Sequence, residues 1–169
     1  MYKYLLYFLV FSFLGWCAEV IFYIFKTGRF VNRGLARGPF CPIYGIGICL
    51  SYLLLGSLES FILTALLSMA VATIVEFSVG FLVDRALGRR LWDYTSEKGN
   101  ILGYVCPRFS VLWGIICAAI IRGIPFLDPV IKRMATPFGY ALTFILLLLS
   151  FADISIQVSK TDPVRKSAH

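Results

Sequence analysis

Charged side chains are scarce in this chain. They make up 15% of its 169 residues, whereas soluble domains carry about 25%. Hydrophobic residues account for 59% and aromatic residues for 16%, and the mean hydropathy is +0.83. A water-soluble fold of this size could not bury that much apolar surface. The composition therefore excludes a soluble globular protein and predicts an all-α integral membrane protein with a single transmembrane domain.

The residues of several common chemistries are also missing. The single histidine is His169, so the chain has no histidine for a metal site or a buried acid–base relay. The five cysteines form no Cys-x-x-Cys pair, and no Gly-x-x-x-x-Gly-Lys-Ser/Thr sequence occurs, which excludes ATP hydrolysis by a P-loop. We therefore predict no cofactor and no metal site, and the sequence favours a protein without enzymatic activity.

Five apolar segments are long enough to cross a membrane. A hydrocarbon core of roughly 30 Å takes about 20 residues of helix. The segments cover 4–25, about 39–57, about 61–84, about 105–123 and about 136–157, and a short polar tail covers 158–169. The sequence therefore predicts five transmembrane helices.

The basic residues indicate the orientation. Of the 16 lysines and arginines, 12 lie in the connector after the first segment, in or near the connector after the third, and in the tail. The positive-inside rule places these regions in the cytoplasm, so the N-terminus is predicted outside and the C-terminus inside. The net charge of +7 does not indicate nucleic acid, because the charges flank apolar segments. The connector IPFLDPVIKRM, after the fourth segment, predicts a short helix on the outer surface.

Two parts of the chain share an order of motifs. A membrane glutamate is followed by Gly-Arg and then by Gly-x-x-Cys-Pro. The first set is Glu19, Gly28-Arg29 and Gly38 to Pro42, and the second is Glu76, Gly88-Arg89 and Gly103 to Pro107. This order predicts two tandem parallel helix pairs, about 4–57 and about 61–123, related by an axis along the membrane normal. The fifth helix lies outside the repeat.

Glu19 and Glu76 are the lone charges within two apolar stretches. At 1.5 Å per residue, both are predicted roughly 9–12 Å from the cytoplasmic end of their spans. An acid at mid-membrane costs about 2.5–3.5 kcal/mol, so we expect both to face the bundle interior, either protonated or paired with Arg or Lys. Three interpretations stay open: a hydrogen bond between helices, a proton or cation site, and contact with a polar substrate group.

The polar connector within 84–114 mixes basic and aromatic residues. This composition suits an anchor in the headgroup layer, or a re-entrant element that meets the acids from the cytoplasmic side. In the second interpretation, arginines pair with the glutamates or hold an anionic lipid phosphate. The candidate residues of the polar site are Glu19, Glu76, Arg29, Arg33, Asp93, Asn100, Arg108, Trp92 and Tyr94.

The motifs FLGWCAEVIF, NRGLARGPFCPIYGIG, GRRLWDY and GNILGYVCPRFSVLWG, with a glutamate in the third span, resemble a bacterial family labelled "putative ABC-transporter type IV", or CmpB-like permeases. The resemblance covers roughly residues 8–120, and transmembrane protein 229 of vertebrates is distantly similar. It implies a multi-pass protein of the bacterial cytoplasmic membrane and a transport role without a defined substrate. The positions that match are Trp16, Glu19, Asn32, Arg33, Gly34, Gly38, Pro39, Pro42, Tyr44, Gly45, Glu76, Trp92, Asp93, Tyr94, Asn100, Gly103, Phe109, Ser110, Trp113 and Gly114.

Three functional hypotheses follow. The first is a small multi-pass permease, or a membrane subunit of a transporter, with Glu19 and Glu76 in an internal polar site. The second is a membrane enzyme or binding protein that handles a lipid headgroup with the same carboxylates. The third is a non-catalytic membrane scaffold. The partners expected are the lipid bilayer, a second copy in a homodimer and a separate ATPase subunit, with no nucleic acid.

Overall fold

The computed structural model describes residues 2–32 and 37–160, and within these ranges all regular structure is helical apart from one isolated bridge between Ile101 and Val105. The prediction of an all-α fold is confirmed. The five helices are α1 (Tyr2–Thr27), α2 (Pro42–Leu55), α3 (Phe61–Leu87), α4 (Pro107–Met134) and α5 (Pro137–Ser159).

The helix starts follow the local sequence. Pro42, Pro107 and Pro137 each stand in the first turn of a helix, where the missing N–H of proline would have no partner in any case. Helix α3 begins after Ser60, whose side chain accepts a hydrogen bond from the N–H of Leu63 at 3.3 Å. It ends at Leu87, and the C-cap residue Gly88 has a φ of +60°, a conformation that glycine adopts without strain.

Four helices, α1, α3, α4 and α5, are long and apolar enough to cross a membrane. Together they confirm a helical membrane protein. Helix α2 has 14 residues and spans only about 21 Å at 1.5 Å per residue. That is shorter than a hydrocarbon core of about 30 Å, so the fifth full crossing stays a prediction, as does the orientation.

Helix α4 differs from its predicted end. The sequence predicted a span ending at about 123 and a separate surface helix, but one helix continues through Pro125 and Pro129 to Met134. A proline inside a helix costs about 3 kcal/mol. The apolar packing of this turn offsets that cost, because Ile124 is fully buried and Ile131 is 7% exposed. Burial of these side chains keeps the helix continuous where the two prolines predicted a break.

The helices pack in sequential pairs. Helix α1 packs on α2, α3 packs on both α2 and α4, and α5 lies against α1. The buried core lies between α1, α2 and α4 and consists of Leu6, Tyr7, Phe11, Ile48, Cys117, Ile124 and Ile131. This arrangement leaves α5 at the edge of the bundle.

Both long connectors fold back along the helix that precedes them. The N–H of Cys41 donates to the carbonyl oxygen of Ser12 at 3.0 Å, so α2 begins beside the middle of α1, about 22 Å from its end at Thr27. The second connector, 88–106, returns to α3 in the same manner: the rings of Trp92 and Tyr104 both lie beside Gly80. The connectors therefore line the half of the bundle that contains the glutamates.

Close helix contacts in the two pairs resemble each other. A Cβ on Gly45 would lie 2.3 Å from the hydroxyl oxygen of Ser12 and 2.5 Å from the carbonyl oxygen of Phe8. In the second pair, a Cβ on Gly114 would lie 2.6 Å from the carbonyl oxygen of Ala65 and 2.7 Å from the Cβ of Met69. A small residue therefore permits the closest approach of the two helices in each pair.

The spacing of these contacts bears on the predicted repeat. The residues that the two glycines approach have the same spacing as the two glutamates. Phe8 precedes Ala65, and Ser12 precedes Met69, by the number of residues by which Glu19 precedes Glu76. The two contact glycines, Gly45 and Gly114, do not coincide when the two Cys-Pro motifs are aligned. Gly114 then lies about one helical turn beyond the position that corresponds to Gly45. These contacts support a repeat with a shifted second helix, and the repeat itself stays a prediction.

Candidate functional site

Glu19 meets a tyrosine from the neighbouring helix. Tyr44 lies in the first turn of α2, and its hydroxyl donates to Glu19 Oε1 at 2.5 Å. Gly15 stands one turn before Glu19 on α1, and a Cβ there would lie 2.2 Å from Tyr44 Cγ. Glycine at this position leaves room for the ring that reaches the carboxylate.

Glu76 meets a tyrosine from the connector. Its side chain is buried, with the residue 6% exposed, and Tyr94 donates its hydroxyl to Glu76 Oε1 at 3.0 Å. The Tyr94 ring stacks on Phe109 of α4 with ring centroids 4.8 Å apart. Burial and the nearby Glu76 charge raise the pKa of Tyr94 above its ordinary value, so this phenol stays protonated and remains a donor.

Contacts connect the surroundings of the two glutamates, which are called the glutamate cluster below. Glu19 and Glu76 are close enough to interact electrostatically, and the rings of Tyr44 and Trp113 meet edge to face between α2 and α4 with centroids 5.1 Å apart. The Trp113 indole lies near the Glu76 carboxylate but makes no well-formed hydrogen bond with it. Glu76 Oε2 is buried and has no hydrogen-bond partner among the described residues.

Among the described residues, no lysine or arginine forms an ion pair with Glu19 or Glu76. The ion pairs of the described part of the chain join Arg90 to Asp84 and Asp93, and Arg108 to Glu97. None of them includes Glu19 or Glu76, so the expected pairing of the glutamates with arginine is not found in these residues. Like charges in a weakly polar environment repel each other, so an arrangement of this kind favours binding of a positive charge between or beside the acids.

Four of the other predicted site residues lie in the second connector or, for Arg108, in the first turn of α4 beside it. Trp92 donates its indole N–H to the carbonyl oxygen of Tyr104 at 2.7 Å. Asp93 accepts from the N–H of Thr95 at 3.0 Å, and this bond is the main reason why the pKa of Asp93 lies below its ordinary value. Asn100 accepts from the N–H of Gly103 at 3.0 Å. Arg108 is largely exposed and lies 3.6 Å from Glu97.

The remaining two predicted residues are arginines of the first connector. Arg29 is exposed beyond the end of α1, and Arg33 falls outside the described residues. Of the nine candidates, the structure therefore brings Glu19, Glu76 and Tyr94 together, and it places the described remainder in the connectors or at the surface. Whether the glutamate cluster is a binding site stays a prediction.

Two contributors were absent from the predicted set. Tyr44 and Trp113 both contact the cluster. The sequence signal for them was that both are motif residues in the second helix of a predicted pair. A separate polar contact lies at the far end of the bundle, where the hydroxyl of the buried Tyr7 donates to Asp128 Oδ1. Sequence spacing alone does not predict either arrangement, because each joins different helices.

The cluster supplies two carboxylates, two phenol donors and several aromatic faces. No group of three or more histidine, cysteine or acidic side chains in the described ranges could hold a metal ion. The arrangement suits reversible uptake of a proton or of a single positive charge.

A comparison with known families supports a transport role. The family model described as "Putative ABC-transporter type IV" matches residues 6–158. No curated protein and no solved structure matches the chain.

Proposed function

Because the chain belongs to the family described as "Putative ABC-transporter type IV", we propose that it is a small multi-pass permease whose internal polar site is built on Glu19 and Glu76. The observation that carries this proposal is a buried Glu76 and a half-buried Glu19, neither of which pairs with a basic side chain among the described residues. Glu76 is 6% exposed and has one oxygen without a partner among the described residues. In this proposal the pair carries protons across the membrane, with or without a solute moving in the opposite direction.

A purely structural role explains this arrangement less well. Helix–helix hydrogen bonds in membranes contribute about 0.6–2 kcal/mol, and a neutral glutamine would make them without the cost of a buried acid. Placing two acids within electrostatic reach adds repulsion that structural hydrogen bonding does not need. The arrangement therefore favours a site that uses the charge.

A lipid-headgroup enzyme receives less support. Such a site needs arginines near the acids to hold the phosphate, but Arg90 pairs with Asp84 and Asp93, and Arg108 lies beside Glu97. A separate ATPase remains part of the proposal, because the chain lacks a P-loop and its family is named for ABC transport. A homodimer and a bacterial cytoplasmic membrane stay predictions.

Proton flux in liposomes tests the proposal. The purified chain is reconstituted with a pH-sensitive dye inside, and a potassium gradient with valinomycin sets the membrane potential. We expect faster acidification than in protein-free liposomes, and we expect Glu76→Gln and Glu19→Gln to reduce the flux to that background. Glu59→Gln is the matched control, because Glu59 is an exposed acid outside the helices, and it should retain the wild-type rate.

Two results would contradict the proposal. One is a wild-type rate equal to that of protein-free liposomes. The other is an unchanged rate in a Glu76→Gln protein that elutes from gel filtration as the wild type does. Flux from the chain alone would also show that proton movement does not require the ATPase.

A further inference from the structure

We infer that the glutamate pair binds an organic ammonium cation in exchange for a proton. The inference deepens the proposed function and rests on it, because it names the class of solute that the same polar site takes. It follows from the juxtaposition of two carboxylates, which have no basic partner in the described ranges, with aromatic rings from α2, α4 and the second connector.

The aromatic surroundings point to an ammonium rather than to a small hydrated ion. Tyr44 and Trp113 meet edge to face with centroids 5.1 Å apart, and Tyr94 stacks on Phe109 with centroids 4.8 Å apart. Two of these rings reach a glutamate through their hydroxyl groups. Aromatic faces attract quaternary and alkyl ammonium groups through the ring quadrupole, and a nearby carboxylate supplies the opposite charge.

The same composition argues against a metal ion. Calcium takes six to eight oxygen ligands, and magnesium needs an octahedral set that includes water. The described ranges contain no group of three or more side chains suited to a metal. Two carboxylates among rings cannot complete either set, whereas an ammonium needs only charge and apolar contact.

A second observation identifies the ligand-facing atom. Glu76 is buried, and its Oε2 lacks a hydrogen-bond partner among the described residues. Leaving a buried charged acceptor unpaired is costly. An ammonium next to this oxygen would remove that cost, and Tyr94 would keep Oε1 in place.

The surrounding groups determine the proton balance. Glu19 comes from α1, Tyr44 from α2, Glu76 from α3 and Tyr94 from the connector. The thiols Cys41 and Cys106 also lie near the cluster, and thiols and phenols are neutral at neutral pH unless their environment favours the anion. The exchangeable proton therefore resides on the carboxylate pair, and one cation binds as one proton leaves.

Titration calorimetry tests this inference with choline as the probe. The protein in lipid nanodiscs is titrated in two buffers of different ionisation enthalpy, which yields the number of protons released. We expect saturable binding with release of about one proton per cation. The neutral carbon analogue 3,3-dimethyl-1-butanol has the same shape and should not bind. Glu76→Gln should weaken choline binding at least about tenfold, while Glu59→Gln should leave it unchanged.

The controls separate this inference from the permease proposal. Binding of the neutral analogue as tightly as choline, or choline binding without proton release, would overturn the inference even if a variant folds poorly. Absence of choline binding in a protein that still shows Glu76-dependent proton flux would overturn the inference alone. Choline binding without any proton flux would support the inference and contradict proton exchange during transport.

Discussion

Gly15 makes the contact between Glu19 and Tyr44 sterically possible, so its replacement by alanine is a direct perturbation of the cluster. A Cβ at this position would lie 2.2 Å from Cγ and 2.5 Å from Cβ of Tyr44. Real Cβ atoms do not approach other heavy atoms so closely, and the Tyr44 ring would have to move away from Glu19. The hydrogen bond between Tyr44 and Glu19 would then weaken or break.

The expected free-energy change combines two opposing effects. Overpacking costs about 1–3 kcal/mol, and replacing a helical glycine by alanine contributes up to about 1 kcal/mol in favour of folding. Gly47 is the matched control because it is also a buried helical glycine, but a Cβ there meets nothing within 4 Å. Gly15→Ala should therefore be less stable than Gly47→Ala by about 1–3 kcal/mol.

Thermal unfolding in detergent, followed by circular dichroism, measures this difference. A double-mutant comparison assigns its cause, since Gly15→Ala should cost little in a Tyr44→Ala background, where the ring is gone. If Gly15→Ala melts at or above the temperature of Gly47→Ala, the close approach of α1 and α2 at this level is wrong. If the cost persists without the Tyr44 ring, the clash is not its source.

Three other predictions follow from the connectors and the orientation. Tyr94→Phe removes the donor to Glu76 Oε1 and leaves both oxygens of a buried acid without partners, so we expect a loss of about 1–3 kcal/mol in unfolding free energy, and wild-type stability would refute the bond. The lowered pKa of Asp93 means that its contribution to stability is present above the ordinary carboxyl pKa and is lost as pH falls through the lower, folded-state value. The melting temperature measured by circular dichroism at graded pH should fall in that acid range, Asp93→Asn should reduce this pH dependence, and an unchanged dependence in the variant would refute the assignment. A reporter fused after residue 169 should read cytoplasmic and one inserted within 56–60 external, and the opposite pattern would overturn the orientation.

The sequence predicted the helices well where composition and start signals agreed. The predicted spans 4–25 and about 61–84 lie within α1 and α3, and the span of about 136–157 begins one residue before α5. Each of these apolar runs is long and is bounded by a proline, a serine cap or a basic residue. The second span was predicted to be longer than α2, because residues 39–41 are apolar but belong to a connector that enters the bundle. A hydropathy profile does not distinguish a helix from a non-helical apolar segment at the same depth in the bundle.

The site was less accessible to sequence reasoning. Glu19 and Glu76 were identified because each is a lone acid in an apolar run. A charge inside a membrane span is costly, so such residues are rare and often functional. Charge alone also led to the expectation that arginines pair with the two glutamates. The ion pairs of Arg90 and Arg108 are instead with aspartates and a glutamate of the second connector and the end of α3. The partners observed instead are the phenols of Tyr44 and Tyr94, whose roles depend on how distant segments pack.

The two glutamates obtain their phenol donors by different routes, and this difference bears on why the donors are present. By the Cys-Pro alignment, the counterpart of Tyr44 is Phe109, which has no hydroxyl. Tyr94 lies on the Phe109 ring and provides the hydroxyl for Glu76 from the connector. If the pattern were only the remnant of a duplicated segment, the loss of a hydroxyl at Phe109 would leave Glu76 without a donor. The donor from another segment therefore supports the proposed site, in which Glu76 would keep Oε1 on the Tyr94 phenol and offer Oε2 to a proton or a cation.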